Sequence, residues 1–313
     1  EQAIKILVSA LGPAGAKSGP EAWGPKAPGT LSGFRAWPVA HFVGAYGLEH
    51  VACSLDALEQ ITRRWTGEFA IRHFLLREPE PALARMHTWT QSDDQHLRRL
   101  ASEGSRPRLP WGVQLKPFIA DPSPVFALLE RLKDDPEEYV RRSVANNLND
   151  ISKDNPGLML DVVERWQGAA GPRRRLVAHA CRTLIKAGEP RALRLQGFAV
   201  PPQIEVLAFA LEADRLQLGQ AVQLTTGLRS TAPGPQKLAI DYAMDLVGAR
   251  GKRREKVFKG SVRSLAPGET VQLRWKQPLA AISTRRYYDG PHALELVING
   301  QRLGRVDFEL SGC

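Results

Sequence analysis

The sequence predicts a mainly α-helical chain of stacked helix pairs followed by a smaller all-β sandwich at the C-terminus. Two patterns carry this reading. Apolar residues recur at helical spacing from the start to about Phe198, and after Pro201 and Pro202 the spacing changes to strict alternation. Size agrees, since 313 residues suffice for two domains with cores of their own. The expected division is a helical domain over 1–200, a linker over 201–214 and a β-domain over 215–313.

Ile4, Leu7, Val8 and Leu11 open the helical pattern. Leu55, Leu58 and Ile61 continue it, then Phe69, Ile71 and Phe74 to Leu76, then Val125, Leu128, Leu129 and Leu132. Val140, Val144, Leu148 and Ile151 follow, then Leu158, Val162 and Trp166, and finally Leu176, Ala180, Leu184 and Ile185. Segments of roughly 10 to 16 residues between short turns imply antiparallel helices. Helix pairs of about 35 to 45 residues without a strict repeat mark a HEAT-like α-helical repeat solenoid whose repeats have diverged, with an ordinary helical bundle as the alternative. Gly12 to Gly33, rich in Gly and Pro, reads as a surface loop; Ser105 to Pro124, which mixes Pro with Trp111, Leu115 and Phe118, reads as a packed one.

In the second part, Val222 and Leu224, then Leu238, Ile240, Tyr242 and Met244, then Val271, Leu273 and Trp275 read as strands with one buried face. Leu294, Leu296 and Ile298 meet Val306, Phe308 and Leu310 across Asn299-Gly300, a strong hairpin pair. About seven such strands suggest an immunoglobulin-like sandwich, whose function cannot be read from its fold.

Composition narrows the function. With 43% hydrophobic and 24% charged residues the chain has the ordinary mixture of a folded protein, which excludes wholesale disorder. A net charge of +10 calls for a polyanionic partner, nucleic acid first and an anionic membrane surface second; a solvated basic face explains the charge equally well. No apolar run approaches the roughly 18 residues of a spanning helix. Cys53, Cys181 and Cys313 lie far apart, with no second Cys or His at zinc spacing, so neither a metal nor another cofactor is called for. An odd cysteine count without a disulfide framework suits a reducing cytosol, and the N-terminus lacks a signal core. The chain begins at Glu1 rather than Met, which points to a missing natural beginning.

The most informative run is Glu137 to Pro156, EEYVRRSVANNLNDISKDNP. With Val140, Val144, Leu148 and Ile151 buried, Ser143, Asn146, Asn147 and Asp150 form one polar strip at spacings of three, four and seven. Asn in a helix interior opposes helix propensity, so something other than local stability retains it: a ligand, or capping of loop backbone between repeats. In a second run, RRWTGEFAIR over Arg63 to Arg72, Thr66 is an expected cap with Glu68 in the first turn, a place that suits a structural carboxylate as well as a catalytic one. A third, SEGSRPRLPW over Ser102 to Trp111, gathers Glu103, Arg106, Arg108 and an aromatic ring, either to hold phosphates or as a solvated charge run beside a core Trp.

Together these runs, with the appended β-domain, resemble the AlkC branch of the AlkC/AlkD family of alkylpurine DNA glycosylases. The resemblance covers most of the chain, and Arg141 to Asp150 is its most distinctive part; bare helical-repeat relatives of the AlkD branch lack the β-domain. It implies hydrolysis of the N-glycosidic bond of a small cationic lesion, 3-methyladenine or 3-methylcytosine, in double-stranded DNA, leaving an abasic site. Carried over by motif, Asp150, Glu68, Glu103 and Trp111 line the lesion's deoxyribose as catalytic groups: Asp150 for the attacking water and the sugar cation, Trp111 for packing on the sugar, Glu68 and Glu103 as added negative field. Arg99, Arg106, Arg108, Arg142, Asn146 and Asn147 are assigned to DNA binding. Such enzymes act on a lesion left exposed in bent DNA, unlike those that enclose a flipped base.

Arg250, Lys252, Arg253, Arg254 and Lys256 lie between two predicted strands, and a hairpin tip with this charge is a further expected DNA contact; an edge strand guarded by charge is the alternative. Arg285, Arg286, Tyr287 and Tyr288 form another candidate loop, with the aromatic rings as packing residues. A rival from another class is a catalytically silent HEAT-repeat scaffold binding DNA or protein. A nuclease or lyase fits less well, for want of a visible metal cluster or an identifiable activated Lys. The expected setting is a monomer in the bacterial cytoplasm, at the nucleoid.

Overall fold

The computed structural model describes residues 1–12, 31, 33–168, 171–280 and 286–313. Two compact units divide the chain, Glu1–Thr183 and Leu184–Cys313. Most of the loop expected between Gly12 and Gly33, and Arg285, lie outside the described residues.

Among the described residues the helices are α1 (Gln2–Ser9), α2 (Trp37–Tyr46), α3 (Val51–Thr62), α4 (Ile71–Arg77), α5 (Pro79–Trp89), α6 (Gln95–Glu103), α7 (Lys116–Ala120), α8 (Ser123–Leu132), α9 (Glu138–Ile151), α10 (Pro156–Arg165), α11 (Pro172–Ala180), α12 (Arg182–Lys186) and α13 (Pro190–Leu195). Proline opens several of them, at positions where its missing N–H costs no intrahelical bond. The packing runs in a row: α1 against α3, α3 against α6, α6 against α9 and α9 against α11. Such stacking buries the predicted stripe, with Val140, Val144, Leu148 and Ile151 of α9 at most 1% exposed.

The second unit holds β1 (Ile204–Leu211), β2 (Arg215–Gln217), β3 (Ala221–Ser230), β4 (Gln236–Val247), β5 (Arg253–Leu265), β6 (Thr270–Pro278), β7 (Gly290–Ile298) and β8 (Gln301–Ser311). One sheet has the order β1-β3-β6 and the other β2-β8-β7-β4-β5. Inward-facing residues from both sheets, among them Leu224, Tyr242, Met244, Leu294, Phe308 and Leu310, make the core. Asn299 and Gly300, with φ of 46° and 81°, form the predicted hairpin turn between β7 and β8.

Three expectations change here. The stretch 201–214 is not a plain linker, since β1 fills most of it; a bulge between Val206 and Ala208 breaks the alternation that would have announced it. Only Arg250 and Lys252 of the basic cluster lie at the turn after β4. Arg253, Arg254 and Lys256 stand on β5, the sheet's edge strand, where charge also guards against pairing with another chain. The segment from Ser105 to Pro124 packs through Leu115 and Phe118 but contains the short helix α7, and Trp111 is not part of its core: it is 94% exposed.

Candidate active site

The site is built where α9 passes α6 and the loop that follows α6. Glu103 ends α6, Asp150 lies in the last turn of α9, and Arg106 stands between them, donating from Nη1 to Glu103 Oε1 at 2.6 Å and from Nε to Asp150 Oδ2 at 2.8 Å. Arg99, one turn before Glu103 on α6, donates to Glu68 Oε2 at 2.9 Å and lies 3.6 Å from Glu103 Oε1. The three carboxylates singled out in the sequence thus form one alternating chain, Glu68–Arg99–Glu103–Arg106–Asp150.

The surroundings hold this chain rigidly. Ser143, the first residue of the polar strip of α9, donates to Glu103 Oε2 at 2.5 Å, and its oxygen is 2.9 Å from the Ser102 hydroxyl. Burial alone would raise the Glu103 pKa, but Arg99, Arg106 and Ser143 outweigh it and hold the carboxyl below its ordinary 4.5. Burial also works against the Arg99 and Arg106 cations, and the carboxylates outweigh it in both, keeping the guanidiniums above their ordinary value. Glu103, Arg99 and Arg106 are therefore all charged at neutral pH. Asp150 Oδ1 faces a different partner, Lys153 Nζ at 2.8 Å, whose side chain is 44% exposed while that of Asp150 is 3% exposed.

Trp111 sits on the loop between α6 and α7 with φ of 63°, a backbone region uncommon for a bulky residue. Arg108, three residues before it, binds Asp154 in a two-pronged pair of 2.6 and 2.7 Å, which ties this loop to the chain just beyond Asp150. The exposed indole and the Asp150 end of α9 therefore belong to one local structure.

The Asn-rich strip has a structural explanation. Asn147 Nδ2 donates to Ser102 O at 2.7 Å and Ser105 Oγ at 3.1 Å; Asn149 Nδ2 donates to Ala180 O and Thr183 Oγ1, both at 2.9 Å. Ser102 and Ala180 lie in the last turns of α6 and α11, where carbonyls lack intrahelical partners, so the amides satisfy helix ends on either side of α9. Asn147 is fully buried, which overturns its expected place at the DNA surface. Arg106 is corrected likewise: it is 8% exposed and committed to two carboxylates, and Arg99 is committed to Glu68 and Glu103. Thr66 caps a turn rather than α4, since its Oγ1 accepts from Glu68 N at 3.2 Å while the helix starts at Ile71.

Asn146 remains at the surface. Its Oδ1 meets His179 Nε2 at 2.9 Å and Arg182 Nη2 at 3.1 Å. With Arg141, Arg142 and Arg175 it lines a groove of about 320 Å³ between α9 and α11. Sequence reasoning passed over Arg175, His179, Arg182 and Lys153; the signal for Lys153 was its position three residues after Asp150, the spacing of a helical ion pair.

Comparison with known proteins completes the picture. A family model described as "DNA alkylation repair enzyme" matches residues 53–184, and one described as "Uncharacterised protein YhaZ, C-terminal Ig-like domain" matches 205–312. The chain is 40% identical over 269 residues to YhaZ of Bacillus subtilis (strain 168), covering 86% of this chain and 75% of that one. The Pseudomonas fluorescens alkylpurine DNA glycosylase AlkC, solved bound to DNA containing an abasic site analog, superposes with a TM-score of 0.89 at 39% identity, covering 99% of this chain and 82% of that chain. The chain belongs to the AlkC family. Both units match AlkC, and no described helix is long and apolar enough to cross a membrane.

Proposed function

We propose that this AlkC relative is a monofunctional DNA glycosylase that hydrolyses the N-glycosidic bond of small cationic alkylated bases, 3-methyladenine foremost and 3-methylcytosine beside it, in duplex DNA. It works without enclosing the base and leaves an abasic site. Family membership and the match to AlkC on abasic-site DNA support the reaction class. The observation that carries the mechanism is the chain of three carboxylates fixed from behind by Arg99 and Arg106, ending at Asp150 beside the loop of an exposed Trp111.

Methylation makes the base a cation, so it leaves without a general acid. As the bond breaks, positive charge passes to the sugar as an oxocarbenium-like ion, which a preorganised carboxylate stabilises without reorganising at the moment of reaction. Asp150 has one oxygen fixed by Arg106 and the other held by Lys153, a flexible and half-exposed cation. In the reaction the sugar cation replaces the ammonium on Oδ1, one positive charge for another, and Lys153 turns to a DNA phosphate. The same oxygen orients the attacking water and accepts its proton. Trp111 packs its ring on the deoxyribose, where a π face favours developing positive charge. Glu103 and Glu68 add negative field at longer range.

For binding, Arg108, Arg142 and Asn146, joined by Arg175, His179 and Arg182, serve as phosphate contacts along the helical unit, and Arg250, Lys252, Arg253, Arg254 and Lys256 serve on the β-domain. The helical array is a HEAT-like repeat, acting as a monomer in the bacterial cytoplasm at the nucleoid. The test is release of radiolabelled base from methylated duplex DNA, separated by chromatography, beside a duplex carrying an uncharged damaged base. Release of 3-methyladenine with the neutral base left in place is the expected result. Tight DNA binding with no release would favour a silent scaffold, and efficient removal of the neutral base would contradict selection by bond lability.

A further inference from the structure

Arg72 is one of the largest fully buried side chains in the molecule, and none of its hydrogen bonds reaches a carboxylate. Its guanidinium donates instead to four main-chain carbonyls of one loop: Nε to Val113 O at 2.6 Å, Nη1 to Gly104 O at 3.0 Å and Arg106 O at 2.7 Å, and Nη2 to Pro107 O at 3.4 Å. These acceptors bracket Trp111. A buried Arg in an apolar setting is costly, and although burial and the nearby Arg106 pull its pKa down to about 10, it stays charged at neutral pH. Its cation draws long-range support from Asp150, Glu68 and Glu103.

The loop is shaped to receive it. A Cβ on Gly112 would stand 3.2 Å from Arg72 Nε, 3.3 Å from its Cδ and 3.1 Å from Leu109 Cδ2, so a side chain after Trp111 would press on the guanidinium and displace it by a few tenths of an ångström. Immediately before it, Trp111 adopts φ of 63° and turns its whole ring to solvent. Strained backbone of this kind persists only where the surroundings over-determine it, and an exposed indole has no packing of its own to hold it there.

We infer that Arg72 is a positioning residue for base excision: it clamps the loop from Gly104 to Val113 so that Trp111 is presented in its turned-out geometry. A planar fork with five donors reaches four carbonyls at once, which the single ammonium of Lys cannot. This rests on the reading of Trp111 as a group that meets the sugar.

The test is single-turnover excision of 3-methyladenine at saturating enzyme, with affinity for abasic-site duplex measured beside it, for Arg72→Lys, Gly112→Ala and Trp111→Ala, and for each of the first two combined with Trp111→Ala. Misplacement of the ring by about an ångström should lower the rate of Arg72→Lys and of Gly112→Ala by roughly 10²-fold, with DNA affinity within about threefold of the parent. In the Trp111→Ala background either change should cost less than about twofold more, because both act through the same ring. Gly112→Ala carries the test where Arg72→Lys fails to fold, since it crowds the clamp without unpairing a buried charge. Undiminished excision by a folded Arg72→Lys, or losses that multiply with that of Trp111→Ala, overturns the inference and leaves the reading of Trp111 standing. Full activity of Trp111→Ala alone overturns both.

Discussion

Replacing Arg106 by Met tests the carboxylate chain as a physical object. The change deletes charge-assisted bonds of 2.6 and 2.8 Å to Glu103 and Asp150, whose side chains are 7% and 3% exposed. Removing one partner from a buried ion pair costs about 3–5 kcal/mol, because the charge left behind stays desolvated. Glu103 keeps Ser143 and a longer contact with Arg99, and Asp150 keeps Lys153, so the low end applies, about 3 kcal/mol. For a unit the size of Glu1–Thr183 each kcal/mol shifts the melting temperature by about 2–4 °C, which gives a drop of roughly 6–12 °C. Circular dichroism at the helical minimum, near neutral pH, follows this unit. A drop under about 2 °C would mean less than 1 kcal/mol and would refute the claim that Arg106 holds both carboxylates.

Three further outcomes follow from the same geometry. Ser143→Ala removes the donor on Glu103 Oε2 and should cost about 1.5–3 kcal/mol in urea unfolding, read as a lower midpoint at unchanged slope. Glu103 has a folded pKa below its unfolded 4.5, so its contribution to stability is fully present above 4.5 and is lost as pH falls through the folded value. The melting gap between the parent and Glu103→Gln should therefore hold steady down to about pH 5 and close below it; closure already near pH 6 would contradict the depressed pKa. On the β-domain, Arg250, Lys252 and Arg254 have no ion pair among the described residues, and changing all three to Gln should flatten the logarithmic salt dependence of DNA binding by about 2–3 units. An unchanged slope removes this edge from the interface.

The sequence made some parts legible and hid others for identifiable reasons. The apolar stripe of α9 and the strands β3, β4, β6, β7 and β8 announced themselves because large apolar residues recur at the period of the element, even in β4 and β7, where both faces are largely buried. Strand β1 did not, because its bulge spoils the period; β5 did not, because its first residues are four consecutive exposed charged ones, Arg253 to Lys256. At the site, Glu68, Glu103 and Asp150 were recognisable by motif, and the fold brings them into one chain. Which arginines stay at the surface and which are enclosed was not readable, since Arg142 pairs in the open with Glu138 of its own helix while Arg99 and Arg106 are enclosed with Glu68, Glu103 and Asp150. The Asn residues of α9 answered to the blander alternative: two of them satisfy the ends of adjoining helices. Arg72 left one faint signal, a cation on a short helix among Ile71, Phe74 and Leu75, which are all buried, where charge survives only with partners waiting.

The central claim is that Asp150 stabilises the sugar cation and directs the water, and Asp150→Asn tests it most directly. The amide keeps the shape but gives up the charge. Excision of 3-methyladenine from methylated duplex DNA under single-turnover conditions should fall by about 10²–10³-fold, with binding to abasic-site duplex retained. Excision within a few-fold of the parent by a folded Asp150→Asn would remove the carboxylate from the chemistry.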